Sequence, residues 1–91
     1  MTTAIVLINA ERQKISKVGD QLAAIHGVTE VFSVSGRYDL VALIRLKNHD
    51  DLAELMTGKI TEIEGITRTE SMVAFRVLSK HDLEGMFDLG S

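Results

Sequence analysis

Apolar residues recur along this chain with two spacings that alternate in a fixed order. Runs rich in Val, Ile, Thr and Phe cover Thr3 to Ile8, Val28 to Val34, Leu40 to Lys47 and Ile66 to Leu78, a composition that predicts strands. Between them, Ile15, Val18, Leu22 and Ile25 fall at i, i+3, i+7 and i+10. Leu52, Leu55, Met56, Ile60 and Ile63 repeat that one-sided spacing, so two amphipathic helices are predicted. Asn9 and Asn48 stand where N-caps belong, and Gly27 and Gly65 follow the last apolar turns, where a C-terminal glycine belongs. The predicted order is β-α-β-β-α-β.

The two halves of that order resemble each other. Shifting the chain by 38 residues lays "IHGVTEVFS" on "IEGITRTES" with four identities, Ile25/Ile63, Gly27/Gly65, Thr29/Thr67 and Ser33/Ser71. The same shift lays "AIVLI" from Ala4 on "ALIRL" from Ala42. Two copies of one strand-helix-strand unit are the economical reading. Joined with right-handed crossovers they give an α+β ferredoxin-like sandwich, a four-stranded antiparallel sheet with both helices on one face.

In that fold Ala4, Val6, Ile8, Ala42, Ile44 and Leu46 point toward the helices. The opposite face carries Ile5, Leu7, Val41 and Leu43, with Arg45 at its far end. A sheet wetted on one side alternates apolar with polar, whereas these two strands are apolar on both sides. The helices being used already, the cover is expected to be a second copy, in a self-complementary, barrel-like homodimer.

Composition narrows the chemistry. The 91 residues suit one domain, 1–91, with a core over 3–78. The segment 79–91 reads as a tail in which Leu83, Met86 and Phe87 can form one helical turn, against Gly85 and polar ends. No apolar run is long enough for a membrane span and the start lacks a signal peptide's pattern, which reads as cytoplasmic. With no cysteine, and with His26, His49 and His81 far apart, no metal site, cofactor or thiolate chemistry is expected. A net charge of −3 argues against direct nucleic-acid binding.

One stretch exceeds its structural need. "SGRYDL", Ser35 to Leu40, joins the second and third strands; a turn there needs Gly36 and an Asp such as Asp39, but neither Arg37 nor Tyr38. On the last strand Thr67, Thr69 and Ser71 occupy alternate positions, with Arg68 and Glu70 opposite them. Those hydroxyls either face water or bond a ligand's polar groups.

Together, "IHGVTEVFSVSGRYDLVALIRLK", the helix "HDDLAELMTGKITEIEGI" and the strand "TRTESMVAF" resemble the effector-binding domain of the Lrp/AsnC transcription regulators, over residues 3 to 78. The resemblance implies paired protomers, further assembly into an octamer or similar ring, and a small effector, typically an amino acid, bound between dimers. It places Gly36, Arg37, Tyr38 and Asp39 in the ligand-binding loop and Thr67, Thr69 and Ser71 facing the pocket, with no catalytic residue. Asp39 would pair with an α-ammonium group, and Gly36 would let backbone amides approach a carboxylate. Full-length members carry a helix-turn-helix domain before the first strand, and here the first strand begins almost at Met1. The chain therefore resembles stand-alone forms, which could co-assemble with a full-length relative. Two other readings share the topology: a small dimeric enzyme of monooxygenase type, for which no acid, base or aromatic cluster converges, and an ACT-type regulatory domain, which "GRYD" suits less well.

Overall fold

A computed structural model describes residues 1–78 of the chain; the tail and its expected helical turn lie outside them. Strand β1 covers Thr2–Ala10, β2 Val28–Ser33, β3 Leu40–Leu46 and β4 Ile66–Val73. Helix α1 covers Ile15–Ala23 after a 3₁₀ turn at Arg12–Lys14, and α2 covers His49–Glu54 before continuing as a π turn over Leu55–Lys59. The sheet order is β2-β3-β1-β4, every neighbour antiparallel. This is the ferredoxin-like sandwich that the repeat implies.

The strand alternation sorts the side chains into two layers. Ala4, Val6, Ile8, Leu40, Ala42, Ile44 and Leu46 are buried against Val18 and Leu22 of α1 and Leu52, Leu55 and Ile60 of the second helical segment. Burying each Val, Leu or Ile of this kind contributes about 1.5–3 kcal/mol. No polar or charged residue is buried among the described residues, so the hydrophobic layer carries no desolvation penalty.

Three details depart from the sequence expectations, and one cap holds. Asn9 is not an N-cap: it is the penultimate residue of β1, and the helix enters through the 3₁₀ turn with no side-chain cap. Asn48 does cap, its Oδ1 accepting from the Asp51 backbone N–H at 2.9 Å. Strand β4 stops at Val73 instead of Leu78, and Phe75 stands fully exposed beyond it; Ala74 N–H still donates to Thr3 O of β1. The second helix widens because the Ile60 N–H donates to Leu55 O, an i→i+5 bond of 3.0 Å.

The two copies of the repeat share one further device. In β2 the residue pairing steps from Val28 to Glu30 while β3 steps from Ile44 to Leu43, leaving Thr29 as an extra residue. In β4 it steps from Ile66 to Arg68 against Ala10 and Asn9, leaving Thr67 extra. Each bulge follows a positive-φ glycine by two residues, Gly27 and Gly65, so both strands enter the sheet by the same turn-and-bulge geometry.

Candidate functional site

The loop between β2 and β3 is tied down by one carboxylate. Asp39 Oδ2 accepts from the Ala10 backbone N–H at 3.0 Å and from Asn9 Nδ2 at 3.3 Å. The same Asn9 Nδ2 donates to Arg37 O at 3.0 Å. Backbone bonds from Asp39 N to Ile8 O and from Val34 N to Asp39 O close the hairpin base. The missing cap at Asn9 thus has a positive explanation: β1 ends in an amide that spans Arg37 and Asp39 and fixes the loop. Gly36, at φ 111°, lies at the open tip with nothing within 4 Å of where a Cβ would stand.

Tyr38 reaches sideways to β4. Its hydroxyl donates to Glu70 Oε2, and that bond, before any other influence, holds the phenol above its ordinary pKa. Arg68 and Arg37 pull weakly the other way. Glu70 pairs with Leu7 and Arg68 with Asn9, so both lie on the face turned away from the helices. The arrangement is a half-buried tyrosine and aspartate at one corner of the outer face, with two arginines nearby and exposed.

The expected hydroxyl row lies elsewhere. Thr69 pairs with Ile8 and Ser71 with Val6, which puts both on the helix-side face, at an edge strand whose residues stay exposed. Thr67 occupies the bulge. Within one chain, Gly36, Arg37, Tyr38 and Asp39 come together with Asn9, Arg68 and Glu70, and not with Thr69 and Ser71. The sequence reading does not place Asn9 and Glu70 at the loop; the signal available is the antiparallel register, which sets Arg68 and Glu70 beside Asn9 and Leu7 once β4 is known to flank β1.

The centre of the outer face is apolar and has no cover among the described residues. Ile5, Leu7, Val41 and Leu43 are only half-buried, and Phe32 and Met72, which flank them on β2 and β4, are 44% and 45% exposed. No group of three or more His, Cys, Asp or Glu among the described residues is placed to hold a metal ion. No helix among them is long and apolar enough to cross a membrane.

Among the described residues the chain is a four-stranded sheet with helices on one side only and a pinned loop at one corner. The profile of the Lrp/AsnC ligand binding domain matches residues 3–83, and the chain belongs to that family. It is 35% identical over 77 residues to the HTH-type transcriptional regulator PH1916 of Pyrococcus horikoshii, a match covering 81% of this chain and 51% of the relative. The chain therefore spans about half the length of the curated relatives it matches. TTHA0845 from Thermus thermophilus superposes with a TM-score of 0.82 at 42% identity, covering 88% of this chain and 100% of that one. The transcriptional regulator NMB0573 of Neisseria meningitidis, solved as a complex with L-Met, shares the fold alone: TM-score 0.77, 9% identity, 86% of this chain and 52% of that one.

Proposed function

We propose that this chain is a non-enzymatic effector-sensing module whose assembly responds to a small molecule of the amino-acid class. Two copies close their outer faces on each other, the dimers assemble further into an octamer or similar ring, and the effector binds at the Gly36–Asp39 loop where dimers meet. The observation that carries this reading is the half-exposed apolar outer face, Ile5, Leu7, Val41, Leu43, Phe32 and Met72, which has no cover among the described residues. Leaving such a patch wet costs free energy that pairing recovers, at about 25 cal/mol for each Å² removed from water.

The site chemistry supports an amino acid. Asp39 Oδ2 is taken by Ala10 and Asn9, while Oδ1 has no donor among the described residues and can accept from an ammonium group. Arg37 and the open backbone around Gly36 suit a carboxylate. Thr69 and Ser71 face the opposite side of the sheet, so a pocket that uses them together with the loop draws them from a neighbouring subunit. That geometry favours a site between copies, where a ligand that prefers one assembly state shifts the population toward it. Transcriptional control would then pass through co-assembly with a longer relative that carries a DNA-reading domain.

A thermal-shift screen of the twenty amino acids with light scattering tests this. An effector at about a hundred times its Kd stabilises by about 2.7 kcal/mol, a rise of about 10 °C or more for a domain of this size. Asp39→Asn keeps an acceptor for Ala10 N–H but loses the charge; the variant is expected to stay folded and lose most of the shift. A chain that none of the amino acids stabilises, or an Asp39→Asn variant with the full response, removes the effector reading.

A further inference from the structure

At the opposite end of the sheet from the loop, a groove of about 800 Å³ opens between the end of α1, the end of β3 and the second helix. Its floor is apolar: Ile25, Leu46 and Leu55, the last two buried. Its rim is cationic, with Lys47, Lys59 and Arg45 beside His26, and none of these has a carboxylate within 4 Å among the described residues. The whole chain carries a net charge of −3, whereas the groove lining sets three cations against two acids.

Two acids, Asp51 and Glu54, also line the groove. Asp51 has its own reason to be there, since it lies in the first turn of α2, where a negative charge meets the positive end of the helix. The groove also coincides with the π turn of the helical layer. Leu55 and Lys59 are the first and last residues of the π turn, and both line the opening. Such turns recur at functional sites because they re-aim side chains that a regular helix would direct elsewhere.

We propose that this groove binds an amphipathic organic anion, an alkyl chain ending in a carboxylate, with the chain on Ile25, Leu46 and Leu55 and the head between Lys47 and Lys59. The volume lies within the usual span of small-molecule sites, and charge complementarity selects the head group. This site is separate from the loop at the other end of the sheet, and neither depends on the other.

Octanoate is the probe, followed by the methyl resonances of the full chain. Octanoate is expected to bind with a Kd of about 1 mM or tighter, given its roughly ten non-hydrogen atoms, and to move the Ile25 and Leu55 methyls. Octylamine, of the same length and opposite charge, is expected to bind at least about tenfold more weakly. The double variant Lys47→Glu, Lys59→Glu changes exposed residues only, so it is expected to fold normally and to raise the octanoate Kd at least about tenfold. Shifts confined to Ile5, Leu7, Val41 and Leu43 would place octanoate on the outer face and overturn the proposal. So would equal binding of octylamine, or an unchanged Kd in the double variant. If octanoate does not bind and the double variant alters particle mass, the groove is a contact between copies and the proposal also fails.

Discussion

The two faces of the sheet are built from the same residue types and have opposite fates. Ile8 and Leu7, or Ile44 and Leu43, are neighbours on one strand and differ by one step of the alternation. Yet Ile8 and Ile44 are fully buried under the helices, while Leu7 and Leu43 remain half-exposed. Hydrophobicity alone therefore does not distinguish a core position from one on the outer face; what covers it does. Among the described residues the helices cover one side of the sheet only, and the proposed pairing would cover the other.

The largest effects should separate those roles. Ile8→Ala removes a side chain with no solvent exposure and is expected to cost about 2–5 kcal/mol of folding stability, read by chemical denaturation. Leu7→Asp, one residue earlier, is expected to leave each protomer folded but shift the particle mass from dimer or larger toward monomer, read by analytical ultracentrifugation. A variant at Leu7 that unfolds outright at all concentrations, or one that keeps its mass, would show that the outer face is not the pairing surface.

Two glycines sharpen the contrast at the ends of the sheet. Both have positive φ, 99° at Gly27 and 111° at Gly36, so alanine strains the backbone at each by about 1–2 kcal/mol. At Gly27 a Cβ would also stand 2.4 Å from Leu46 Cδ2 and 3.4 Å from Leu55 Cδ1, driving into the helix-side core. At Gly36 it would meet open space. Gly27→Ala is therefore expected to cost about 1–3 kcal/mol more than Gly36→Ala, measured as the difference between their denaturation midpoints at equal m-value. Equal costs would mean that Leu46 moves aside freely and that the core at that end is loosely packed.

Most of the fold was legible because it is written in periodicities that local chemistry enforces. The repeat, the alternation at Ala4, Val6 and Ile8, the helical spacing at Val18 and Leu22 and the cap at Asn48 each depend on residues close in sequence. What escaped depends on distant partners. Asn9 resembles a cap by composition, yet its amide is claimed by Arg37 and Asp39, far along the chain. Thr69 and Ser71 share one side of β4, as their spacing implies, but which side meets the helices follows from pairing with Ile8 and Val6 and from the bulge at Thr67. The Gly36–Asp39 loop stood out in the sequence as residues in excess of what a turn needs. Its neighbours Asn9 and Glu70 did not, because polar residues on strands look ordinary until the register places them beside a loop.

The smallest expected effect tests the polar corner of the otherwise apolar outer face. Tyr38 is the single tyrosine and the chain has no tryptophan, so tyrosinate absorbance reports this one phenol. Because the bond to Glu70 raises its pKa in the folded state, the contact favours the protonated phenol. Whatever stability it lends is complete below the unfolded pKa, about 10, and is lost as pH rises through the higher folded value. Alkaline titration of the native chain is expected to give a higher midpoint than the same chain in denaturant. Glu70→Gln keeps an acceptor but removes the charge, and is expected to bring the native midpoint down toward the unfolded one with little change in stability near neutral pH, since Glu70 is exposed. A native midpoint at or below the unfolded one would mean that Tyr38 does not rest on Glu70 in solution and that this corner of the face is organised by Asn9 and Asp39 alone.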